Sequence, residues 1–144
     1  MPKLLLAVDG SESAICATRN LIEAAARYAE RPDVELLTVH LAVPPVDVLS
    51  SAVVSRDTLE RYYREEGEKA LAPIRGLLGT AGLKVTAHVL VGDIASTIVE
   101  HARNSNCEMI YMGTRGMTTI SNLVLGSVAT KVLHLARVPV ALVH

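Results

Sequence analysis

Apolar residues along this chain follow two alternating rhythms. Short continuous apolar runs bounded by turn residues alternate with longer stretches in which apolar positions recur every three or four residues. The first rhythm is that of a strand buried on both faces of a parallel sheet, and the second that of an amphipathic helix. Leu4 to Val8 is the first run, and Asp9-Gly10-Ser11 ends it with turn chemistry. Ser11 or Ser13 is placed to cap the helix that follows, in which Ala14, Ala17, Leu21, Ala24, Ala25 and Tyr28 recur until Pro32-Asp33 stops the pattern.

Val34 to Val43 reads as a second strand, and Pro44-Pro45 prevents it from continuing. A loop ending at Ser55, a candidate N-cap, leads to a charged helix from Asp57 whose apolar side is Leu59, Tyr62, Tyr63, Ala70, Ile74, Leu77 and Leu78. Pro73 inside it removes one backbone bond at a cost of about 3 kcal/mol unless accommodated, which predicts a bend near Lys69. Gly79 and Gly82 end that helix. Leu83 to Val91 alternates, as a half-exposed edge strand does. Gly92-Asp93 turns it into a third helix with Ile94, Ala95, Ile98, Val99 and Ala102 on one face. Asn104-Ser105-Asn106 closes this helix, and Glu108 to Met112 is the fourth strand. Val128, Ala129, Val132, Leu133 and Ala136 mark a fourth helix, and Val138 to Val143 a fifth strand. Strands alternating with helices in this way predict an α/β fold with one doubly wound parallel sheet of five strands and right-handed crossovers. No linker or internal repeat divides residues 1–144, which read as one domain.

The stretch richest in candidate chemistry is Gly113-Thr114-Arg115-Gly116, then nine residues, then Gly126-Ser127 at the head of the last helix. Glycine lets the chain turn with positive φ and lets a ligand approach without a Cβ in the way. The helix start adds unpaired N–H groups and the positive end of its dipole, and the Ser127 hydroxyl can cap the helix or bond a phosphate oxygen.

The spacing Gly113-x2-Gly116-x9-Gly126-Ser127, followed by Val128-Ala129, closely resembles the ATP-binding signature of the universal stress protein family. Leu4 to Ser11 and Val138 to Val143 look like that family's first and last strands, so the resemblance covers the whole chain. It implies strand order 3-2-1-4-5, an arrangement like that of the adenine nucleotide alpha hydrolases. In such sheets ligands sit beyond the carboxyl ends of the strands where the order reverses. Asp9 and Gly113 would then face one crevice.

By similarity to ATP-binding members, Ala7 and Asp9 would border the nucleoside and ribose. Leu41, with neighbouring His40, would meet the adenine. Met112, Gly113, Arg115 and Gly116 would line the ribose and phosphates, and Gly126, Ser127, Val128 and Ala129 would hold the phosphates. The implied ligand is ATP, or ADP or AMP, with Mg²⁺ bridging the phosphates. Hydrogen bonds to charged phosphate at ~1.5–3 kcal/mol each reach the roughly 8 kcal/mol of micromolar binding with only a few contacts. Many ATP-binding relatives carry a hydroxyl residue where this chain has Ala129, so one phosphate contact is missing.

Plainer readings stand beside these. Asp9 is equally suited to capping the first helix, Ser127 to being an ordinary N-cap, Arg115 to being a solvated loop charge and His40 to being a satisfied core residue. His88, His101, His134 and His144 show no metal-ligand spacing. Glu60, Arg61, Arg64, Glu65, Glu66, Glu68 and Lys69 read as a solvated helix face with pairs at helical spacing.

Bulk properties narrow the function. A chain of 144 residues, 50% hydrophobic with no Phe or Trp, must build its core from Ala, Val, Leu and Ile, and a domain of this size buries about 68–70% of its unfolded surface. A net charge of -1 leaves no electrostatic footprint for nucleic acid or an anionic membrane. Cys16 and Cys107 have no metal or CxxC spacing and read as reduced thiols. No run reaches the ~18 apolar residues of a membrane span, and the start lacks a signal peptide's pattern, so a cytoplasmic location is expected.

No nucleophile with an adjacent base and no paired carboxylates stand out. The expectation is a nucleotide-binding regulatory protein, with slow hydrolysis or self-phosphorylation only by analogy. An enzyme on the same fold would show a Walker loop or a His-x-Gly-His cluster, both absent from the sequence. A phospho-receiver domain would need two acids after the first strand, where only Asp9 stands. A scaffold with an empty pocket would lack the glycine signature. The last strand, apolar apart from Pro139, would be an exposed sheet edge, and the resemblance implies that two copies pair there as a homodimer.

Overall fold

The structure is a computed structural model that describes residues 1–42, 55–114 and 125–144. Among the described residues nine elements follow one another in strict alternation: β1 (Lys3–Ala7), α1 (Glu12–Ala25), β2 (Asp33–His40), α2 (Arg56–Thr80), β3 (Val85–Val91), α3 (Ile94–Asn104), β4 (Met109–Gly113), α4 (Ser127–Leu135) and β5 (Val140–Val143). The strands form one parallel sheet in the order β3-β2-β1-β4-β5, as expected.

The central strand explains its own sequence. Leu4 and Leu6 turn to the face covered by α1 and α2, while Leu5 and Ala7 turn to the face covered by α3 and α4. Side chains alternate across a strand, and both faces here are covered, so every position from Leu4 to Ala7 is apolar. Leu4, Leu5 and Leu6 are fully buried. Each contributes about 1.5–3 kcal/mol relative to exposure. β3 and β5 are the edges, and their residues are only partly buried.

Element ends differ from the periodicity by a residue or two, for identifiable reasons. β5 starts at Val140 rather than Val138, since Pro139 has no N–H to donate, although its carbonyl still accepts from Ile110 N at 3.0 Å. β2 stops at His40, and Val43, expected in it, lies outside the described residues. α1 ends at Ala25, leaving Tyr28 in a tight turn where its N–H bonds Ala25 O at 3.2 Å. α2 runs through Gly79 to Thr80, and the chain reverses at Gly82, whose φ of 75° suits glycine. The helix is continuous through Pro73. Both Pro73 and Lys69, whose carbonyl loses its donor, lie on the exposed side, where the carbonyl is open to solvent rather than buried unpaired. On that side Glu66 pairs with Lys69 and Glu68 with Arg75, both at 2.8 Å. No described helix is long and apolar enough to cross a membrane.

Candidate functional site

The strand order reverses between β1 and β4, and a cavity of about 150 Å³ opens beyond the ends of these two strands. Ala7 and Asp9 line it from β1 and the turn after it, Met112 and Gly113 from β4, and Gly126, Ser127, Val128 and Ala129 from the start of α4. Turns more than a hundred residues apart in sequence thus meet in one crevice. Leu41 is not among the lining residues and is 63% exposed; Val39, two residues earlier on β2, stands in the wall instead. Arg115 and Gly116 lie outside the described residues.

Each side of the crevice is fixed by local chemistry. On the β1 side, Asp9 Oδ1 accepts from Ser11 N at 3.0 Å, and Ser11 Oγ accepts from Ala14 N at 3.3 Å. Ser11 is therefore the N-cap of α1, and Asp9 is not. Its carboxylate is held in the turn at the crevice rim and remains exposed. Gly10 between them has φ 86°, which a side chain would disfavour.

On the other side, Gly126 rather than Ser127 is the N-cap of α4, and it provides no side-chain cap. This corrects the reading of Ser127 as N-cap, by one residue. Gly126 N donates to Thr114 O at 2.7 Å, and Gly126 O receives both Thr130 N and Thr130 Oγ1 at 3.0 Å. Those bonds tie the end of β4 to the first turn of α4. The N–H groups of Ser127, Val128 and Ala129 have no partner within the helix, because the first turn of an α-helix leaves its donors unused. All three residues line the crevice.

The positive character of this helix end comes from its amides. Lys131, one turn further on, reaches Asp93 across to α3, with Nζ 2.9 and 3.0 Å from its carboxylate oxygens. Asp93 also N-caps α3, accepting from Ser96 N at 3.1 Å. The Ser96 hydroxyl, then Lys131, holds the Asp93 carboxyl down at about 2.

Sequence reasoning missed other wall residues. Ile94 and Ile98, one helical turn apart on α3, and Leu37 on β2 supply an apolar side. Thr114 stands inside the glycine motif, and its hydroxyl could have drawn notice there. Ser13 reads in sequence only as an alternative cap for α1, a role that Ser11 takes. It lines the crevice because β4 comes so close to the first turn of α1 that a Cβ on Gly113 would stand 2.8 Å from Ser13 Cβ.

Two readings of the histidines change. His40, expected to be satisfied, stacks on Tyr63 with centroids 6.2 Å apart, and its buried Nε2 finds no hydrogen-bond partner among the described residues. His88 and His101, which lack ligand spacing in sequence, are brought together with Glu35 on the α3 side of the sheet. Burial pushes the nearby Cys107 thiol up to about 11, so it is an unreactive core group.

Residues 1–144 match the universal stress protein family throughout. Universal stress protein MJ0531 of Methanocaldococcus jannaschii is 30% identical over 141 residues, covering 98% of this chain and 81% of its own. The solved structure of protein MJ0577 superimposes with a TM-score of 0.82 at 27% identity, covering 99% of this chain and 94% of that one. The universal stress protein from Archaeoglobus fulgidus, solved in complex with dAMP, shares the fold with a TM-score of 0.66 at 23% identity, covering 100% and 98% of the two chains. With strand order, crevice and whole-length similarity in agreement, the chain belongs to the universal stress protein family.

Proposed function

We propose that the crevice binds an adenine nucleotide and that the protein acts as a nucleotide-dependent regulatory module. The observation that carries this reading is the start of α4. Three consecutive backbone donors, to which the N-cap Gly126 offers no side-chain acceptor, line a cavity opposite the Asp9 carboxylate. A helix start of this kind attracts anions through its N–H groups and its dipole. The apolar wall of Leu37, Val39, Ile94 and Ile98 suits the base, and Asp9 suits a ribose hydroxyl. The dAMP held by the Archaeoglobus fulgidus protein supports the same ligand class.

ATP is the nucleotide we assign, with Mg²⁺ held by phosphate oxygens and water, as this ion commonly is. The cavity of about 150 Å³ is small beside the ~300–1,000 Å³ of typical ligand sites, so its described walls account for only part of such a ligand. The described lining residues include no Lys, His or Cys, which supports a bound signal over a rapidly turned-over substrate. We also assign a homodimer through the β5 edge, because Val140–Val143 is an apolar edge strand left half-buried.

Native mass spectrometry of the purified protein tests the assignment. It should show a mass excess of one adenine nucleotide per chain, and titration of stripped protein should give micromolar affinity. Gly126→Val should weaken binding at least tenfold while leaving α4 formed, since φ -61° and ψ 154° at this position admit any residue. Unchanged affinity would remove the phosphate role of this turn. Hydrolysis faster than about one turnover per second would instead mark an enzyme. A monomer in sedimentation at micromolar concentration would refute the dimer.

A further inference from the structure

The Glu35, His88 and His101 cluster lies away from the crevice and plays no part in the proposed function. Glu35 precedes Leu37 and Val39, the wall residues of β2, by two and four positions, or roughly 7 and 13 Å of strand. His88 sits on β3 beside Leu37 in register, and His101 comes from the last turns of α3. Three elements, β2 and the consecutive β3 and α3, thus deliver two imidazoles and one carboxylate to one place.

The geometry is convergent. Glu35 Oε2 is 3.1 Å from His88 Nε2, and Glu35 Oε1 is 3.9 Å from His101 Nε2. One ligand atom from each residue lies within 4.8 Å of both others, and the ring centroids are 4.5 Å apart. Two Zn–ligand bonds of about 2.0–2.1 Å at a tetrahedral angle separate their ligand atoms by roughly 3.4 Å. Glu35 meets the two imidazoles at 3.1 and 3.9 Å through different oxygens, on either side of that value, so turning the carboxylate and the rings brings one oxygen and both nitrogens around a common centre. The side chains are 13 to 29% exposed, which holds them in place yet leaves a path for an ion.

An ion pair alone accounts for less. At 3.9 Å, His101 Nε2 is beyond hydrogen-bond reach of the carboxylate, and it meets only Ser105 Oγ, at a long 3.3 Å that a bound ion would displace. Both Nε2 atoms nevertheless approach Glu35, and one central cation would serve all three groups. Two nitrogens with one carboxylate is a donor set for zinc and its neighbours, whereas Mg²⁺ prefers oxygen throughout.

We propose that Glu35, His88 and His101 form a three-ligand site for a divalent transition-metal ion, Zn²⁺ by donor type, with a fourth position left to water or an exogenous ligand. Such an open position distinguishes it from a closed structural zinc site.

Calorimetric titration of the chelator-stripped full chain with Zn²⁺, without nucleotide, is the test. One equivalent should bind. Glu35→Gln, His88→Ala and His101→Ala should each weaken binding at least tenfold, and a large excess of Mg²⁺ should not compete. Cys16→Ser combined with His144→Ala, which removes two exposed donors elsewhere, should leave binding unchanged. No binding, or binding indifferent to all three cluster substitutions, overturns the site and leaves an ion pair only. Should the variants unfold, the wild-type protein decides. One equivalent of Co²⁺ should broaden the imidazole NMR signals of His88 and His101 while sparing His134 and His144, and the reverse pattern overturns the site.

Discussion

Replacing Gly113 by alanine tests how closely the crevice is built. Gly113 ends β4 in register with Val143, so the strand cannot readily retreat. A Cβ there would lie 2.8 Å from Ser13 Cβ and 2.9 Å from the Ser13 carbonyl carbon. Carbon atoms prefer about 3.5–4.0 Å, so the first turn of α1 must shift by more than half an ångström. Ser13 is buried, and backbone as well as side chain is struck, so rotation about one bond cannot relieve the contact. Overpacking of this kind costs about 1–3 kcal/mol. For a domain of this size that lowers Tm by roughly 3–10 °C and the urea midpoint by about 1 M. Urea unfolding followed by circular dichroism measures it, and adenine nucleotide titration of the same variant should show weaker binding because Ser13 and Ala14 are displaced with the turn. Adding Ser13→Gly removes the side chain but not the carbonyl carbon, so it should restore part of the loss as a coupling of ~0.5–3 kcal/mol. A midpoint for Gly113→Ala within about 0.3 M of the wild type, with unchanged nucleotide affinity, would refute the close approach.

Two further outcomes follow from α2 and α3. Gly76 and Gly67 lie on opposite sides of α2: a Cβ on Gly76 meets nothing within 4 Å, and one on Gly67 meets Val89 Cγ1 at 2.8 Å. Chemical denaturation should find Gly76→Ala stabilised by about 0.4–1 kcal/mol and Gly67→Ala destabilised by ~1–3 kcal/mol; the same sign for both would contradict the packing of α2 on β3. Asp93, held at about 2 rather than the ordinary 3.8, takes up its proton later in the folded chain than in the unfolded one. Its contribution to stability is therefore complete above about pH 3.8 and lost as pH falls towards about 2. Carboxyl NMR should show that low titration point in the wild type and an upward move in Lys131→Met; an unmoved value would detach α4 from α3 at this contact.

The amino-acid pattern revealed whatever depends on local periodicity and turn chemistry. The unbroken apolar run of Leu4 to Val8 marked a strand covered on both sides, and glycine spacing with Asp9 marked both rims of the crevice. Positions set by approach across the fold stayed hidden. Ser13 enters the wall only because β4 comes up against α1. Glu35, His88 and His101 converge only once β2, β3 and α3 are stacked. Spacing along the chain carries no signal of such meetings. The choice between Gly126 and Ser127 as cap turned on backbone angles that either residue adopts.

The placement of β1 has a consequence during synthesis. One side of this strand is met by β2 some thirty residues on, but its other side waits for β4, where Leu4 pairs with Met109. A nascent chain that has emerged only as far as α3 therefore presents a raw, leucine-rich edge at the middle of its future sheet. Such an edge invites pairing with other chains, and non-local pairing is slow to form. A ribosome stalled just before Met109 would release a fragment that needs a chaperone, whereas twenty residues later the same surface is sealed inside the molecule.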